Sequence, residues 1–135
     1  MKALVFDEPR HATIRELDIP TIAADEVLVR SRNVGICHSD FELYEGRYII
    51  PVSYPIIPGH EWSGEVAEVG SRVSTLRAGD RVVGECVVNN GDDHFGFSIS
   101  GADAEYFVAK ASWLDRIPEE LSFSQGAFVE TFSVA

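Results

Sequence analysis

The sequence contains only two cysteines, Cys37 and Cys86, among its 135 residues. Two cysteines are too few for the disulfide framework of a small secreted protein, so a reduced, cytoplasmic setting fits best. Basic residues are also few, 11 against 22 acidic ones, and the formal net charge is −11. Because the sequence has no Lys/Arg cluster, we expect neither nucleic acid nor an anionic membrane surface as a partner.

Long apolar runs are absent as well. The apolar stretch at residues 1–7 is too short for a signal peptide, and no later stretch could span a bilayer. The hydrophobic fraction of 45% and charged fraction of 24% are typical of a globular protein. Since 135 residues is close to the commonest size for one core, we expect a single domain over residues 1–135.

The chain does contain a series of short segments with strand character, separated by Gly- and Pro-rich turns. We predict strands at residues 2–6, 11–17, 26–36, 62–69, 80–88 and 104–110. A short helix is predicted at residues 39–45, and irregular loops at residues 47–59 and 89–101. Strands at this spacing indicate a mainly β barrel or sandwich.

The C-terminal residues have a helical pattern instead. Ser122 and Gln125 form a capping box that predicts a helix from Ser122 through Val134. One face of this helix is apolar except for Glu130. No Gly, Asn or Pro ends the helix before Ala135, so we expect that the chain has been cut.

Two segments, residues 35–40 and 58–64, carry side chains suited to metal binding. Zinc accepts thiolate, imidazole and carboxylate ligands, and a catalytic site uses three of them while leaving a fourth position open. Cys37, His60 and Glu130 supply such a set, with Glu61 as a spare carboxylate.

Each of these residues also has a simpler interpretation. Cys37 could be a small buried apolar side chain, and His60 a hydrogen-bonded turn residue. Glu130 could pair with a basic residue on a second domain. None of these interpretations explains the residues together.

The motifs resemble those of the zinc-containing medium-chain alcohol and polyol dehydrogenases. The resemblance rests on Gly35-Ile-Cys37-His38-Ser39-Asp40 and on Gly59-His60-Glu61-x2-Gly64-x5-Gly70-x2-Val73, followed in the family's order by matches at residues 79–82, 101–106 and 129–135. It implies a GroES-like barrel with short helices. Its C-terminal helix would lead into a Rossmann domain, a nucleotide-binding domain that is absent from this chain.

The resemblance also implies a ligand set for one catalytic zinc ion. Cys37 and His60 would bind the metal, and Glu130 matches the third-ligand position of sorbitol and threonine dehydrogenases. Glu61 matches a glutamate that can swing onto the metal, and Asp40 a carboxylate that orients the histidine ligand.

The reaction implied by the resemblance is hydride transfer from an alcohol to NAD(P). Zinc would polarise the substrate hydroxyl, and Ser39, with His38, would relay its proton. Substrates would be small alcohols, polyols or amino-alcohols, and the parent enzyme would be a homo-oligomer.

Three features depart from the family pattern. Residues 86–95 are too short for a four-cysteine lobe, so we expect no structural zinc, with Cys86 and His94 as strand and loop residues. Thr131 stands where Glu-Pro is usual, which predicts a longer regular helix. No Gly-x-Gly-x-x-Gly occurs, so NAD(P) would bind only with the missing domain, and the isolated chain would be inactive.

Two other functions stay open at this point. A metal-free GroES-like binding module would have no need for the ligand set. A small zinc hydrolase could use Glu61 as a general base, although Ser39 after Cys37 counts against it.

Overall fold

The computed structural model describes residues 1–133 and shows a mainly β domain with short helices, which confirms the predicted fold class. Its elements are β1 Lys2–Glu8, β2 His11–Glu16, β3 Glu26–Val34, α1 His38–Tyr44, β4 Trp62–Val69, β5 Arg81–Gly84, β6 Val87–Val88, β7 Asp93–His94, β8 Tyr106–Lys110, β9 Leu114–Arg116, α2 Phe123–Gly126 and α3 Val129–Ser133. None of the helices within these residues has the length and apolarity needed to cross a membrane.

The core is built on a five-stranded antiparallel sheet in the order β8-β3-β4-β5-β9. Val27 and Val29 on the interior strand β3 are fully buried. They pack with Trp62 and Phe107 from the neighbouring strands, whose rings meet edge to face at 4.6 Å. Burying each such side chain contributes about 1.5–3 kcal/mol to folding, so this sheet is the stable frame of the domain.

The antiparallel pairing of β3 with β4 brings the two candidate ligand segments together. Val34, at the end of β3, lies opposite Trp62, at the start of β4. The backbone N–H of Gly35 then donates to the carbonyl of Glu61 at 2.7 Å. A Cβ on Gly35 would lie 2.6 Å from Oε2 of Glu61, so a larger residue there would force the Glu61 side chain to move. Residues 35–40 and 58–64 therefore meet at one end of the sheet.

A second apolar cluster lies beneath the loop at residues 47–59 and contains Phe6, Leu43, Ile56 and Phe97. The ring of Phe97 stacks on Tyr48 at 4.4 Å and lies 4.8 Å from the ring of His60. This loop, irregular as predicted apart from a bridge at Ile56, thus supplies Tyr48, which packs on the Phe97 ring that lies beside His60.

The single helix predicted for residues 122–134 is wrong, as is the longer regular helix predicted from Thr131. The Ser122 capping box is confirmed, but α2 ends at Gly126 and α3 begins at Val129. A Cβ on Gly126 would lie 2.7 Å from Cδ1 of Ile117, so glycine lets α2 pack closely on the sheet. Glycine also weakens a helix, which favours the break that follows. Val134 lies outside the described residues.

Other element boundaries differ from the predictions. The strand predicted at residues 80–88 is interrupted because β5 ends at Gly84, close against Trp62, and β6 begins at Val87. β6 pairs with β7, which lies inside the predicted loop at residues 89–101. The turn between them has positive φ at Asn89, Asn90 and Gly91. The end of β3 and the start of β8 lie two residues inside their predicted bounds, and β9 was missed. Strands of two or three residues are too short to show a periodic pattern.

Asp103 is a half-buried acid that packs behind the turn before His60. Its backbone N–H donates to the carbonyl of Pro58 at 3.0 Å, and its Cγ lies 2.9 Å from the position of a Cβ on Gly59. Burial raises the pKa of Asp103 from 3.8 to about 6; repulsion from Asp40 adds to the shift, and attraction to His60 opposes it.

Replacing Asp103 with Asn should stabilise the domain at neutral pH. Because the pKa of Asp103 is higher in the folded than in the unfolded chain, its ionisation disfavours folding as the pH rises from about 4 through 6. We expect Asp103→Asn to increase the free energy of unfolding by about 1–2 kcal/mol at pH 7.5. This is less than the free energy that corresponds to the whole pKa shift, because solvent screens the carboxylate. The gain should shrink below pH 6 and nearly vanish at about pH 4.

Urea unfolding across this pH range measures the effect, with Asp18→Asn at an exposed position as the control. A gain from Asp103→Asn that is the same at pH 7.5 and pH 4 would show that ionisation of the carboxyl is not its cause.

Candidate metal centre

Three ligand-type side chains meet where β3 ends and β4 begins. The ligand atoms of Cys37, His60 and Glu61 all lie within 4.8 Å of one another. Atoms that bind zinc at 2.0–2.3 Å in a tetrahedral arrangement stand about 3.3–3.8 Å apart. The thiolate, imidazole and carboxylate donors therefore fit a single zinc ion after small side-chain adjustments.

Asp40 positions the cysteine. Cys37 is the N-cap residue of α1, with extended backbone angles, and its N–H donates to Oδ2 of Asp40 at 2.8 Å. This bond satisfies one of the backbone donors that a helix N-terminus leaves without a partner. It also fixes the backbone that carries the Cys37 thiol.

The other oxygen of Asp40 faces the histidine. Oδ1 lies 3.3 Å from Nδ1 of His60, an ion-pair distance, and neither buried atom has a well-aligned hydrogen bond to another residue among 1–133. Burial alone would lower the pKa of His60, but Asp40, with help from Cys37 and Glu130, raises it to about 9. Asp40 therefore favours a proton on Nδ1, so Nε2 is the nitrogen that would bind a metal ion, after giving up its own proton.

The Ser39 hydroxyl lies on the same side as Nε2. Its Oγ is 3.3 Å from Nε2 of His60, within reach of a small molecule bound beside that nitrogen. His38, by contrast, has a side chain that is 82% exposed, with Nε2 3.4 Å from Oε1 of Glu42. The structure thus brings Ser39 to the cluster and leaves His38 on the outer face of α1.

A cavity of about 510 Å³ adjoins the three ligands. Its apolar wall includes Tyr48, Ile50 and Phe97. Sites for small organic molecules usually have volumes of about 300–1,000 Å³, so the cavity could hold a substrate beside the metal position.

Glu130 reaches the same cavity from α3 but is not part of the three-residue cluster. Burial raises the pKa of its carboxyl; His60 opposes the shift, whereas Glu61 and Asp40 add to it. The sequence predicted Glu130 as the third ligand and Glu61 as an additional carboxylate. In the structure Glu61 lies among the ligand atoms, while Glu130 offers a second carboxylate from α3.

Several residues that line the cavity were not predicted to do so. Tyr48 and Phe97 were not singled out, and Cys86 and His94 were treated as ordinary strand and loop residues. Burial, and to a smaller extent the neighbouring Glu130, raise the pKa of the Cys86 thiol to about 12, so it stays protonated. No local motif marks these positions, because residues 86–97 and the loop at residues 47–59 bring them in from a distance. The expected absence of a structural zinc stays a prediction.

Comparison with known proteins supports the resemblance seen in the sequence. An alcohol dehydrogenase of Geobacillus stearothermophilus is 34% identical over 94% of this chain and 43% of its own length. A sorbitol dehydrogenase of Bacillus subtilis is 36% identical over 99% of this chain and 43% of its own length. The chain thus spans less than half the length of these curated relatives.

A solved structure shows the same fold. A protein from Sinorhizobium meliloti, described as a zinc-binding dehydrogenase and bound to NADP, superposes with a TM-score of 0.84 at 30% identity. The match covers 94% of this chain and 41% of that one. Residues 23–119 also match the family described as the alcohol dehydrogenase GroES-like domain. The chain therefore belongs to the GroES-like domain family of the alcohol dehydrogenases.

Proposed function

We propose that this domain is the metal- and substrate-binding part of a zinc-dependent alcohol or polyol dehydrogenase that transfers hydride to NAD(P). The observation that carries the proposal is the cluster of Cys37, His60 and Glu61 beside a cavity of about 510 Å³. Similarity to a sorbitol dehydrogenase and to a zinc-binding dehydrogenase bound to NADP supports it.

In this proposal Cys37 and His60 hold the metal together with a carboxylate from Glu61 or Glu130. When bound, zinc supplies Lewis-acid polarisation of the substrate hydroxyl. Asp40 keeps Nδ1 of His60 protonated and thereby orients the ring toward the cavity. The apolar residues Ile50 and Phe97 limit the access of water to the reacting atoms.

Ser39 is the proposed proton acceptor. Its hydroxyl, 3.3 Å from Nε2 of His60, lies where the hydroxyl of a bound alcohol would approach the metal position. A relay through His38 has less support, because that imidazole contacts Glu42 on the exposed face of α1. We therefore propose that the proton passes from Ser39 to solvent.

The cavity favours a substrate with more than one hydroxyl. Tyr48 and His94 line it and bring a phenol oxygen and an imidazole to its wall. A polyol would offer these polar groups partners, whereas a simple aliphatic alcohol would not. A zinc hydrolase has less support, because Glu61 lies among the ligand atoms and the family is that of dehydrogenases.

Zinc content tests the site directly. We expect about one zinc per chain by elemental analysis after reconstitution, because a catalytic site of this type holds a single ion. Cys37→Ala removes a ligand and should lower zinc affinity by about 100-fold or more.

Cys86→Ala is the matched control, since Cys86 lines the same cavity but lies outside the ligand cluster. It should retain the zinc. Less than half an atom per wild-type chain, or equal losses from the two cysteine variants, would count against the site.

Asp40→Asn should weaken zinc binding without removing a ligand. The neutral amide no longer stabilises the histidine tautomer, and it holds the Cys37 N–H less strongly. Loss of such an outer partner typically lowers metal affinity by about 10–100-fold. Competition with a chromophoric chelator measures the change, and Asp25→Asn at the exposed Asp25–Arg72 pair is the control. Unchanged affinity in a folded Asp40→Asn protein would refute this role for Asp40.

A further inference from the structure

We propose that Arg81 and Ser63 position Glu130 beside the metal site by fixing α2 to the sheet. The place of this carboxylate in the cavity is then set within the domain and needs no contact from elsewhere. The inference rests on the proposed function, because the position of Glu130 matters only if the cavity binds a metal.

Ser63 links the ligand segment to α2. It is fully buried and follows His60 by three residues. Its hydroxyl donates to the carbonyl of Phe123 at 2.6 Å, which also accepts the N–H of Ala127 within the helix. A Cβ on Gly126 would stand 3.2 Å from Cβ of Ser63, so α2 lies directly against the start of β4.

Arg81 holds the segment that enters α2. From β5, its guanidinium donates to the carbonyl of Glu119 at 3.2 Å and to the carbonyl of Leu121. Its Cζ also lies 4.5 Å from the ring centre of Phe123. A planar guanidinium can make hydrogen bonds and stack on an aromatic ring at the same time, which a lysine does less well. One side chain therefore fixes both the approach to α2 and its first residue.

The position of α3, which carries Glu130, depends on these contacts. Only the turn at residues 127–128 separates α3 from α2, and no residue of α3 is buried. Phe128 and Phe132 are 58% and 77% exposed, so they provide little anchoring. Glu130 nevertheless lines the cavity together with Cys37 and His60. Since α3 has few apolar contacts of its own, α2 and its anchors determine where Glu130 points.

Cobalt(II) binding to the 135-residue chain tests this role, because the visible absorption of Co²⁺ responds to the type and number of its ligands. Arg81→Met keeps the apolar stem and removes the guanidinium. We expect it to weaken Co²⁺ binding by about tenfold and to change the spectrum in the same way as Glu130→Gln.

Arg77→Met is the control. Arg77 is 86% exposed, pairs with Asp80, and makes no hydrogen bond or ring contact with α2 in the described part of the chain. It should change neither the affinity nor the spectrum.

A double-mutant cycle separates positioning from general damage to the fold. In the Glu130→Gln background, adding Arg81→Met should weaken Co²⁺ binding by less than about twofold, because the two residues act through the same carboxylate. An equal tenfold loss in both backgrounds would overturn the inference. Ser63→Ala is a milder change that removes a hydrogen bond to the same helix, α2. It should show the same dependence on Glu130, and it replaces Arg81→Met in the cycle if that variant does not fold.

Hydrogen exchange of the metal-free chain gives an independent readout. The amides of Ala127 and Phe132, which bond within residues 123–132, should exchange faster in Arg81→Met than in Arg77→Met. Equal rates in the two variants would show that Arg81 does not fix the helices.

The outcomes also separate this inference from the proposed function. If the wild-type chain binds no Co²⁺, or if Glu130→Gln binds it as tightly as wild type, the proposed role of Glu130 fails and the inference fails with it. If Glu130→Gln weakens binding but Arg81→Met does not, only the inference is overturned.

Discussion

The carboxylate of Asp40 joins the two halves of the candidate metal centre. One oxygen accepts the N–H of Cys37 at 2.8 Å, and the other lies 3.3 Å from Nδ1 of His60. The two candidate ligands come from different segments of the chain, and this single buried side chain contacts both. A buried charge that loses its partner is strongly destabilising, so the pairing also favours the arrangement in which His60 faces Asp40.

The two carboxylates near the ligands are held in different ways. Glu61 follows from the register of β3 and β4, because its carbonyl bonds to Gly35 and its side chain lies where a Cβ would otherwise be. Glu130 sits on a helix with no buried residue of its own and depends on the contacts made by Arg81 and Ser63. A mutation away from the cavity is therefore more able to displace Glu130 than Glu61.

Local patterns predicted some of these features and missed others for identifiable reasons. Cys37, Ser39 and Asp40 lie in one short motif, so their proximity to one another follows from the sequence. His38 belongs to the same motif, but successive residues of a helix point about 100° apart, and its side chain lies outside the site. The pattern of apolar residues continues across Gly126 and does not show the break that follows it, although glycine weakens a helix.

The sequence by itself determined the kinds of ligand available, the mainly β architecture and the family. Side-chain chemistry and motif spacing are local properties, and they are sufficient for those conclusions. Tertiary structure decided that Glu61 lies within the ligand cluster, that Tyr48, Phe97 and His94 line the cavity, and that Glu130 reaches it from a separate short helix. A metal site requires atoms from distant segments to meet within a few ångströms. Sheet register and helix packing set those distances, and neither can be read from the local sequence.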